Sequence, residues 1–209
     1  QYAIQKGEIF CLEVNPRASR TVPFISKAIG VPLAKMAAQI MVGKSLKDLG
    51  FTSEIVPEYY SVKESVFPFV KFPGVDIILS PEMKSTGEVM GIDYDFGLAF
   101  YKSQQAAYSE IPPSGNVFLS VKNSDKEKAI RIAQGLVKLG YQLICTKGTA
   151  AHLEKYGIHA DVINKLIDGN PHIGDKIRAK EIALIINTPT GKGPMVDEAK
   201  IRSLAVSFR

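Results

Sequence analysis

The second half of the chain alternates short apolar runs with longer stretches in which apolar residues recur every three or four positions. The runs predict buried strands, and the periodic stretches predict helices with one face toward a core. The predicted strands are residues 117–121, 141–145, 160–163 and 181–187. The predicted helices are residues 125–139, 149–156 and 197–207. The core face of the first helix is expected to consist of Ala129, Ile130, Ala133, Leu136 and Val137. Strands alternating with helices predict a mainly parallel sheet covered on both faces.

The first half of the chain has a less regular pattern. Residues 2–4 and 9–12 are strand-like runs separated by Gly7, which predicts a hairpin. Further along, the pattern predicts a strand over 59–63 and an ordered loop with short strands over 72–91. Residues 93–100 are expected to start a helix with acidic residues in its first turn.

Two short helices are predicted between the hairpin and the strand over 59–63. The first begins after Thr21 and ends at Gly30, and the second begins at Pro32 and stops near Gly43. In the second helix, residues at helical spacing are expected to fill a core: Leu33, Met36, Ala37, Ile40 and Met41.

A domain boundary is predicted at residues 109–115, where the sequence Ser-Glu-Ile-Pro-Pro-Ser-Gly combines a proline pair with small polar residues. The chain then consists of a first domain over 1–110 and a second over 111–209. The fold class is α/β: an α+β domain followed by a mainly parallel, Rossmann-like α/β domain.

Composition favours a globular protein with an anionic ligand. The chain has 209 residues, of which 45% are hydrophobic and 22% charged, and its formal net charge is +5. The basic residues are scattered, without a dense Lys/Arg block or an aromatic-interleaved basic patch. Nucleotides or phosphates are therefore more plausible partners than a nucleic-acid backbone.

The two cysteines, Cys11 and Cys145, lie far apart in the sequence and outside any metal-ligand spacing. We therefore expect buried free thiols in a reducing cytoplasm, with no disulfide framework or zinc site. No signal peptide and no apolar run of about 18 residues is present, which argues against secretion or membrane spanning. The chain starts without Met and enters a strand-like pattern at once, so we expect a fragment of a longer chain.

The first candidate site follows the apolar run over 9–12. Glu13 and Asn15 alternate along the chain, so an extended strand would place both side chains on one face. Their oxygens are hard ligands of the type that Mg²⁺ accepts while it also holds phosphate oxygens. Arg17 and Arg20 could then present forked donors to a phosphoryl group. On spacing alone, a strand end with a surface ion pair explains the same residues.

The second candidate site is formed by polar residues that follow the predicted strands of the second half. In an open α/β sheet, ligands bind beyond the carboxyl ends of the strands. Hydroxyls, glycine N–H groups, lysines and a helix N-terminus are suited to hold a phosphate there. The candidate residues are Ser120, Lys126, Thr146, Thr149, Lys165 and Asn187. Each of them alone is more often a helix cap or part of a turn.

The segment 13–24, Glu-Val-Asn-Pro-Arg-Ala-Ser-Arg-Thr-Val-Pro-Phe, resembles the end of an ATP-grasp domain, and more narrowly the second ATP-grasp half of the carbamoyl-phosphate synthase large subunit. The likeness continues in the family's order through 30–35, 60–64, 71–76 and 81–91. This resemblance implies an ATP-dependent ligase. It implies that Glu13 and Asn15 are ligands of Mg²⁺ or Mn²⁺ beside ATP, and that Arg17 and Arg20 are catalytic residues near the phosphoryl groups.

Residues 111–209 are similar to the methylglyoxal-synthase-like domain of the same subunit, a regulatory domain that binds nucleotide effectors such as UMP and IMP. The resemblance implies that the six candidates of the second site contact phosphate and ribose. Two positions depart from the family. Lys147 stands where many bacterial members have His, and Pro189 stands where a second Thr hydroxyl is often found. Proline offers neither hydroxyl nor N–H, which leaves the effector's identity open.

The resemblance also implies features that lie beyond the two sites. The family's regulatory domain continues past residue 209, so this one is expected to be truncated. Glu64 matches a residue that contacts the activator ornithine in some bacterial members.

The parent enzyme converts two ATP, bicarbonate and glutamine-derived ammonia to carbamoyl phosphate for arginine and pyrimidine synthesis. It is cytoplasmic and works as a hetero-oligomer with a glutaminase small subunit. This chain alone is expected to be inactive.

Two other functions stay open at this point. One is a stand-alone regulatory module whose intrinsic activity is to bind a phosphate or nucleotide. The other is a methylglyoxal-synthase-type lyase, which needs a carboxylate base and supporting histidines near a phosphorylated ketone. The second domain has His152, His159 and His172, but none adjoins the loop over 146–149.

Overall fold

The computed structural model describes residues 1–71, 77, 83–107, 110–188 and 192–208. The predicted motif residues 72–76 and 81–82, and also Pro189, lie outside the described residues. The chain divides into two units, residues 1–67 with 85–109 and residues 68–84 with 110–209. Each unit has its own sheets and helices.

Among its described residues, the first unit contains two antiparallel strand pairs and three α-helices. β1 pairs with β2 and β3 pairs with β4, and each pair forms a separate two-stranded sheet. The elements in chain order are β1 Tyr2–Gln5, β2 Glu8–Cys11, α1 Thr21–Ile29, α2 Leu33–Met41, β3 Tyr60–Val66, β4 Gly87–Asp93 and α3 Phe96–Ala106.

Local turn and cap signals of the first unit are confirmed. The hairpin between β1 and β2 turns at Lys6 and Gly7, whose φ angles are 51° and 84°, as a two-residue primed turn requires. α1 ends at Gly30 in the left-handed conformation, where the Gly30 N–H donates to Ser26 O. At the start of α3, Asp95 is the N-cap and accepts a hydrogen bond from Leu98 N at 2.9 Å. The expectation of acidic residues in the first turn of this helix is wrong, because Asp93 and Asp95 precede it.

Two burial expectations for the first unit are wrong. Cys11 is an exposed thiol rather than a buried one, because the β1–β2 pair is a two-stranded ribbon that is exposed along almost its whole length. α2 has no buried residue, and Met41 is 87% exposed. The apolar spacing therefore identified one face of α2 correctly as apolar, but that face does not form a core.

The second unit is built on a four-stranded sheet. The strand order is β7-β6-β5-β8, and every strand pair is parallel, which confirms the predicted parallel α/β fold. The elements in chain order are β5 Asn116–Ser120, α4 Lys126–Lys138, β6 Gln142–Cys145, α5 Lys147–Glu154, β7 Asp161–Val162, α6 Ile173–Arg178, β8 Ile182–Asn187 and α7 Lys192–Ser207.

Both faces of this sheet are covered, as predicted. Successive residues of β5 point to opposite faces, so Val117 and Leu119 join one core and Phe118 joins the other. The first core also contains residues of α4 and α5, chiefly Ala129, Ala133, Ala150 and Leu153. The second core contains residues of α6 and α7, chiefly Ile173, Ile177 and Ile201.

The helices of the second unit differ from the prediction in four ways. α5 begins two residues earlier than predicted, because Thr146 is extended and the helix starts directly after it. α7 begins at Lys192 rather than at Asp197, and the short helix α6 was not predicted. Val137 is 48% exposed, so it lies outside the core face of α4. None of the helices within the described ranges is long and apolar enough to cross a membrane.

Candidate anion-binding site

The carboxyl ends of three neighbouring strands bring polar residues together. In the parallel register, Ser120 of β5 lies beside Asn187 of β8, and Leu119 lies beside Cys145 of β6. Thr146 directly follows Cys145, so Ser120, Thr146 and Asn187 meet at one edge of the sheet. This edge is where open α/β sheets bind ligands.

Three hydroxyls at this edge are connected by hydrogen bonds. Ser120 Oγ and Thr146 Oγ1 lie 3.2 Å apart, and Thr146 Oγ1 donates to Thr149 Oγ1 at 3.4 Å. Thr149 Oγ1 also accepts from the backbone N–H of Val121 at 3.3 Å. Thr146 and Thr149 are both buried, so the network fixes their hydroxyl orientations. A hydroxyl has one donor and two acceptor positions, and the network leaves part of that capacity for a ligand.

The N-terminus of α5 faces the same place. Lys147 and Gly148 form its first turn, ahead of the N–H groups of Thr149 and Ala150, which both donate to Thr146 O at 2.9 Å. A Cβ added at Gly148 would lie 3.6 Å from Lys126 Nζ. The ammonium group of Lys126 therefore stands beside this helix start, and the N–H dipoles and the lysine both favour an anion.

A cavity of about 470 Å³ opens at this edge, and all six candidates of the second site line it. The volume lies within the range of about 300–1,000 Å³ that is typical of pockets for small organic ligands. Lys122, Lys126, Lys147 and Lys165 line the cavity, as do the acidic residues Asp168, Asp197 and Glu198. The arrangement supplies hydroxyl, amide and ammonium donors for a phosphate.

Sequence reasoning missed several lining residues. Lys122 and Thr188 fasten the loops after β5 and β8 to each other, because Lys122 N donates to Thr188 Oγ1 and Thr188 N donates to Ser120 O, both at 2.9 Å. Both residues directly follow predicted strands, and this position in the sequence could have identified them as lining residues. Asp197 and Glu198 had no such signal, because the predicted helix began at Asp197 and an acid in a first turn is ordinary.

The first candidate site is exposed. Asn15 Nδ2 donates to Glu13 Oε1 at 2.9 Å, so the two side chains do lie on one side of the chain. β2 itself ends at Cys11, and this hydrogen bond also holds the two side chains together. Arg17 follows in a tight turn in which its N–H donates to Asn15 O at 2.8 Å.

The Glu13–Asn15 pair fits part of a magnesium site. Both side chains carry the hard oxygen atoms that Mg²⁺ binds, but Mg²⁺ requires about six ligands in octahedral geometry. Across the described ranges, no group of three or more His, Cys, Asp or Glu side chains could hold a metal ion. The remaining ligands would have to come from phosphate oxygens, water or other protein segments.

Arg20 and Glu64 occupy different surroundings in the first unit. Arg20 lines a small cavity of about 70 Å³ together with Lys63 and Glu88, whose side chains form an ion pair at 3.5 Å. Glu64 is half-buried on β3 and accepts a hydrogen bond from Gln104 Nε2 at 2.9 Å. Glu64 is therefore held by a neighbour rather than free at the surface.

The second unit is thus an α/β domain with a cavity lined by hydroxyl, amide and ammonium groups at the carboxyl edge of its parallel sheet. Its residues 128–209 match the family model described as the MGS-like domain. Residues 1–49 match the family model for the carbamoyl-phosphate synthase L chain, ATP binding domain.

Whole-chain relatives agree with both matches. The carbamoyl phosphate synthase large chain of Neisseria meningitidis serogroup A is 53% identical over 96% of this chain and 19% of its own length. The large chain of Xanthomonas campestris is 50% identical over 100% of this chain and 20% of its own. That of Methanosarcina barkeri is 50% identical over 100% of this chain and 52% of its own. The chain belongs to the carbamoyl phosphate synthase large-chain family, and it spans about a fifth of the first two relatives.

Proposed function

We propose that the second unit is the regulatory domain of a carbamoyl phosphate synthase large chain and binds a phosphorylated effector of the UMP or IMP type in the cavity at its sheet edge. The observation that carries this proposal is that residues from four separate loops line one cavity. These loops follow β5, β6, β7 and β8. Parallel strands bring these four loops to one edge, and the side chains that line the cavity there include the hydroxyl and ammonium groups that suit a phosphate.

The chemistry of the cavity suits a phosphate monoester. The O–H of Thr149, the O–H of Thr146 once it turns from Thr149 to the ligand, and the first N–H groups of α5 are donors, and phosphate oxygens are acceptors. Lys126 supplies a positive charge beside this helix start, and Lys165 supplies another from the loop after β7. Ser120 is proposed to orient Thr146, and Asn187 is proposed to contact the sugar.

Calorimetric titration of the 209-residue chain with UMP, IMP and inorganic phosphate tests this proposal. We expect heat of binding with at least one nucleotide. The Lys165→Ala variant should bind about tenfold or more weakly, because a hydrogen bond to a charged group contributes about 1.5–3 kcal/mol. Lys155→Ala is the matched control, since Lys155 lies at the far end of α5. A folded sample that binds none of the three ligands contradicts the proposal, and an unchanged affinity in Lys165→Ala removes Lys165 from the site.

For the first unit, we propose that it contributes the last part of an ATP site. Glu13 and Asn15 would supply oxygen ligands to Mg²⁺ or Mn²⁺, and Arg17 and Arg20 would donate to phosphoryl oxygens. A divalent cation bound there would neutralise charge on the phosphate groups of ATP. Because the pair provides only part of a coordination sphere, the 209 residues alone should form no carbamoyl phosphate from ATP, bicarbonate and ammonia. Product formation by this chain would contradict that expectation.

The same proposal extends to the whole protein. It would be the large chain of a glutamine-dependent synthase, with this chain as its carboxyl-terminal fragment, a glutaminase small subunit as its partner and a cytoplasmic location. Identity of 50–53% to large chains across nearly all of this sequence supports the assignment. Ornithine binding at Glu64 belongs to the same proposal. Gln104 occupies only Oε2 of that carboxylate, which leaves acceptor positions for ornithine, so a Glu64→Gln variant should weaken the ornithine response.

A methylglyoxal-synthase-type lyase has less support. None of the chain's histidines, which are His152, His159 and His172, lines the cavity. His152 instead lies 3.3 Å from Glu127, and His172 lies 3.1 Å from Asp175. We expect no methylglyoxal from dihydroxyacetone phosphate, and its formation would favour the lyase.

A further inference from the structure

Asp197 is a buried acid in the wall of the cavity. The residue is 8% exposed, and its Oδ1 has no hydrogen-bond partner among the described residues. Buried carboxylates are normally paired or hydrogen-bonded, because an unsatisfied one keeps the cost of its desolvation. An unpaired acceptor that lines a cavity is therefore positioned for a donor that the ligand supplies.

The cavity has two unlike walls. One carries the hydroxyls of Ser120, Thr146 and Thr149, and the other carries the apolar side chains of the second core. Phe118, Ile163 and Ile201 are the buried members of that apolar wall. Asp197 lies four residues before Ile201 on α7, and so on the same face of the helix. Its carboxylate thus stands beside the apolar wall.

The neighbouring acid, Glu198, differs from Asp197. Glu198 also lines the cavity, but its carboxylate forms an ion pair with Arg202 one turn further along α7. Its charge is therefore partly compensated through Oε1. Of these two adjacent carboxylates, only that of Asp197 has no ion-pair partner among the described residues.

A bare phosphate would use only the polar wall of the cavity. It would leave most of the 470 Å³ empty and would bring a second anion toward an uncompensated carboxylate. A ligand that joins a phosphate to a ring with hydroxyl or N–H groups would fill both walls. Its ring would bury apolar surface, and its donors would satisfy the carboxylate.

We propose that Asp197 is a specificity-determining residue that accepts a hydrogen bond from a hydroxyl or N–H group on the organic part of a phosphorylated ligand. The ligand class is a phosphate monoester of a sugar or nucleoside, and inorganic phosphate is disfavoured. This inference rests on the proposed function of the cavity as an effector site.

Titration of wild type and Asp197→Ala with UMP, IMP and inorganic phosphate tests the inference. Wild type should bind at least one nucleotide more tightly than inorganic phosphate. Asp197→Ala should weaken nucleotide binding about tenfold or more, while inorganic phosphate binding stays within about twofold or tightens, because a nearby negative charge has been removed. Asp197→Asn keeps an Oδ1 acceptor in the same volume and should lose less than Asp197→Ala.

Glu198→Gln is the matched charge control, because it removes the same charge one residue further along. It should leave the ratio of nucleotide to phosphate affinity unchanged. The inference is overturned if Asp197→Ala changes both affinities by the same factor, leaves nucleotide binding unchanged, or is reproduced by Glu198→Gln. Circular dichroism on each variant confirms that it is folded, and Asp197→Asn decides the matter should Asp197→Ala fail to fold.

Failure of the inference and failure of the proposed function give different results. If the wild type binds neither nucleotides nor phosphate, both are wrong. If the wild type binds nucleotide and Lys165→Ala weakens it, the effector site stands. An unaltered nucleotide preference in both Asp197 variants then rejects the role of Asp197 alone.

Discussion

Ser120 Oγ and Thr146 Oγ1 lie 3.2 Å apart although 26 residues separate them in the sequence. They end adjacent parallel strands, so the register of β5 against β6 sets their separation. Thr149 extends the same network into the first turn of α5. The sheet therefore positions the hydroxyls before any ligand arrives, and preorganised donors reduce the cost of ordering on binding.

Replacing Thr149 by Val should impair both stability and binding. The substitution keeps the shape but leaves the N–H of Val121 without its 3.3 Å partner, which we expect to cost about 1–3 kcal/mol of unfolding free energy. Nucleotide affinity should fall about tenfold. Urea unfolding and calorimetry measure the two effects, and Thr149→Ser, which keeps the hydroxyl, is the control. An unchanged affinity in Thr149→Val would show that this hydroxyl does not contact the ligand.

Gly91 should tolerate no side chain. A Cβ at this position would lie 2.0 Å from Ala99 O and 2.5 Å from Ser103 N, both backbone atoms of α3. Gly91→Ala therefore forces α3 away from β4, and overpacking of this kind costs about 1–3 kcal/mol. Gly87→Ala is the control on the same strand, because nothing lies within 4 Å of its Cβ position. Equal urea midpoints for the two variants would contradict this packing.

The two cysteines should differ in reactivity. Cys145 is fully buried, and burial raises the pKa of its thiol from 9.0 to about 11. At pH 8 a thiol reagent should label exposed Cys11 rapidly and Cys145 only after unfolding. Labelling of both thiols at equal rates in the folded protein would refute the buried position of Cys145.

The same thiol should make stability depend on pH in the alkaline range. A raised pKa means that the folded state holds its proton more tightly than the unfolded state. The contribution of the protonated Cys145 thiol to the free energy of unfolding is then fully present below pH 9. It is lost as the pH rises through about 11. Unfolding free energies of wild type and Cys145→Ala should converge over that interval. A constant difference from pH 8 to 11 would be inconsistent with the raised pKa.

Asp93 should contribute to stability in acid. The N–H of Asp95 donates to its carboxylate at 3.0 Å and Lys102 Nζ at 2.7 Å, and these bonds lower the pKa of Asp93 below its ordinary value of 3.8. The resulting stability is present above pH 3.8 and is lost as the pH falls through the lowered pKa. Asp93→Asn should therefore show a flatter acid limb of unfolding than wild type. Identical acid limbs for wild type and Asp93→Asn would exclude this contribution.

Elements with local signals could be predicted from sequence alone. Gly7 and Gly30 adopt the positive φ angles that turns and helix ends require, and both were identified from residue type and position. α6 was missed because six residues give too short a periodic pattern to recognise. The exposure of Met41 could not be predicted, because spacing shows which face is apolar but not whether other segments cover it.

Candidate residues of the effector site were predictable for a related reason. Ser120 and Asn187 end recognisable strands and Thr146 directly follows one, and parallel strands bring such positions to one edge. Asp197 could not be found in this way, because an acid in a helix has many ordinary roles. Only its burial and its unpaired oxygen distinguish it, and both depend on the folded arrangement.

The most direct measurement is a crystal structure of the 209-residue chain soaked with UMP at a saturating concentration. The account predicts nucleotide density in the cavity, with phosphate oxygens within hydrogen-bond distance of the Thr146 and Thr149 hydroxyls and near Lys126 and Lys165. Nucleotide bound elsewhere on the molecule, or an empty cavity in a crystal that leaves it accessible, would contradict the central claim.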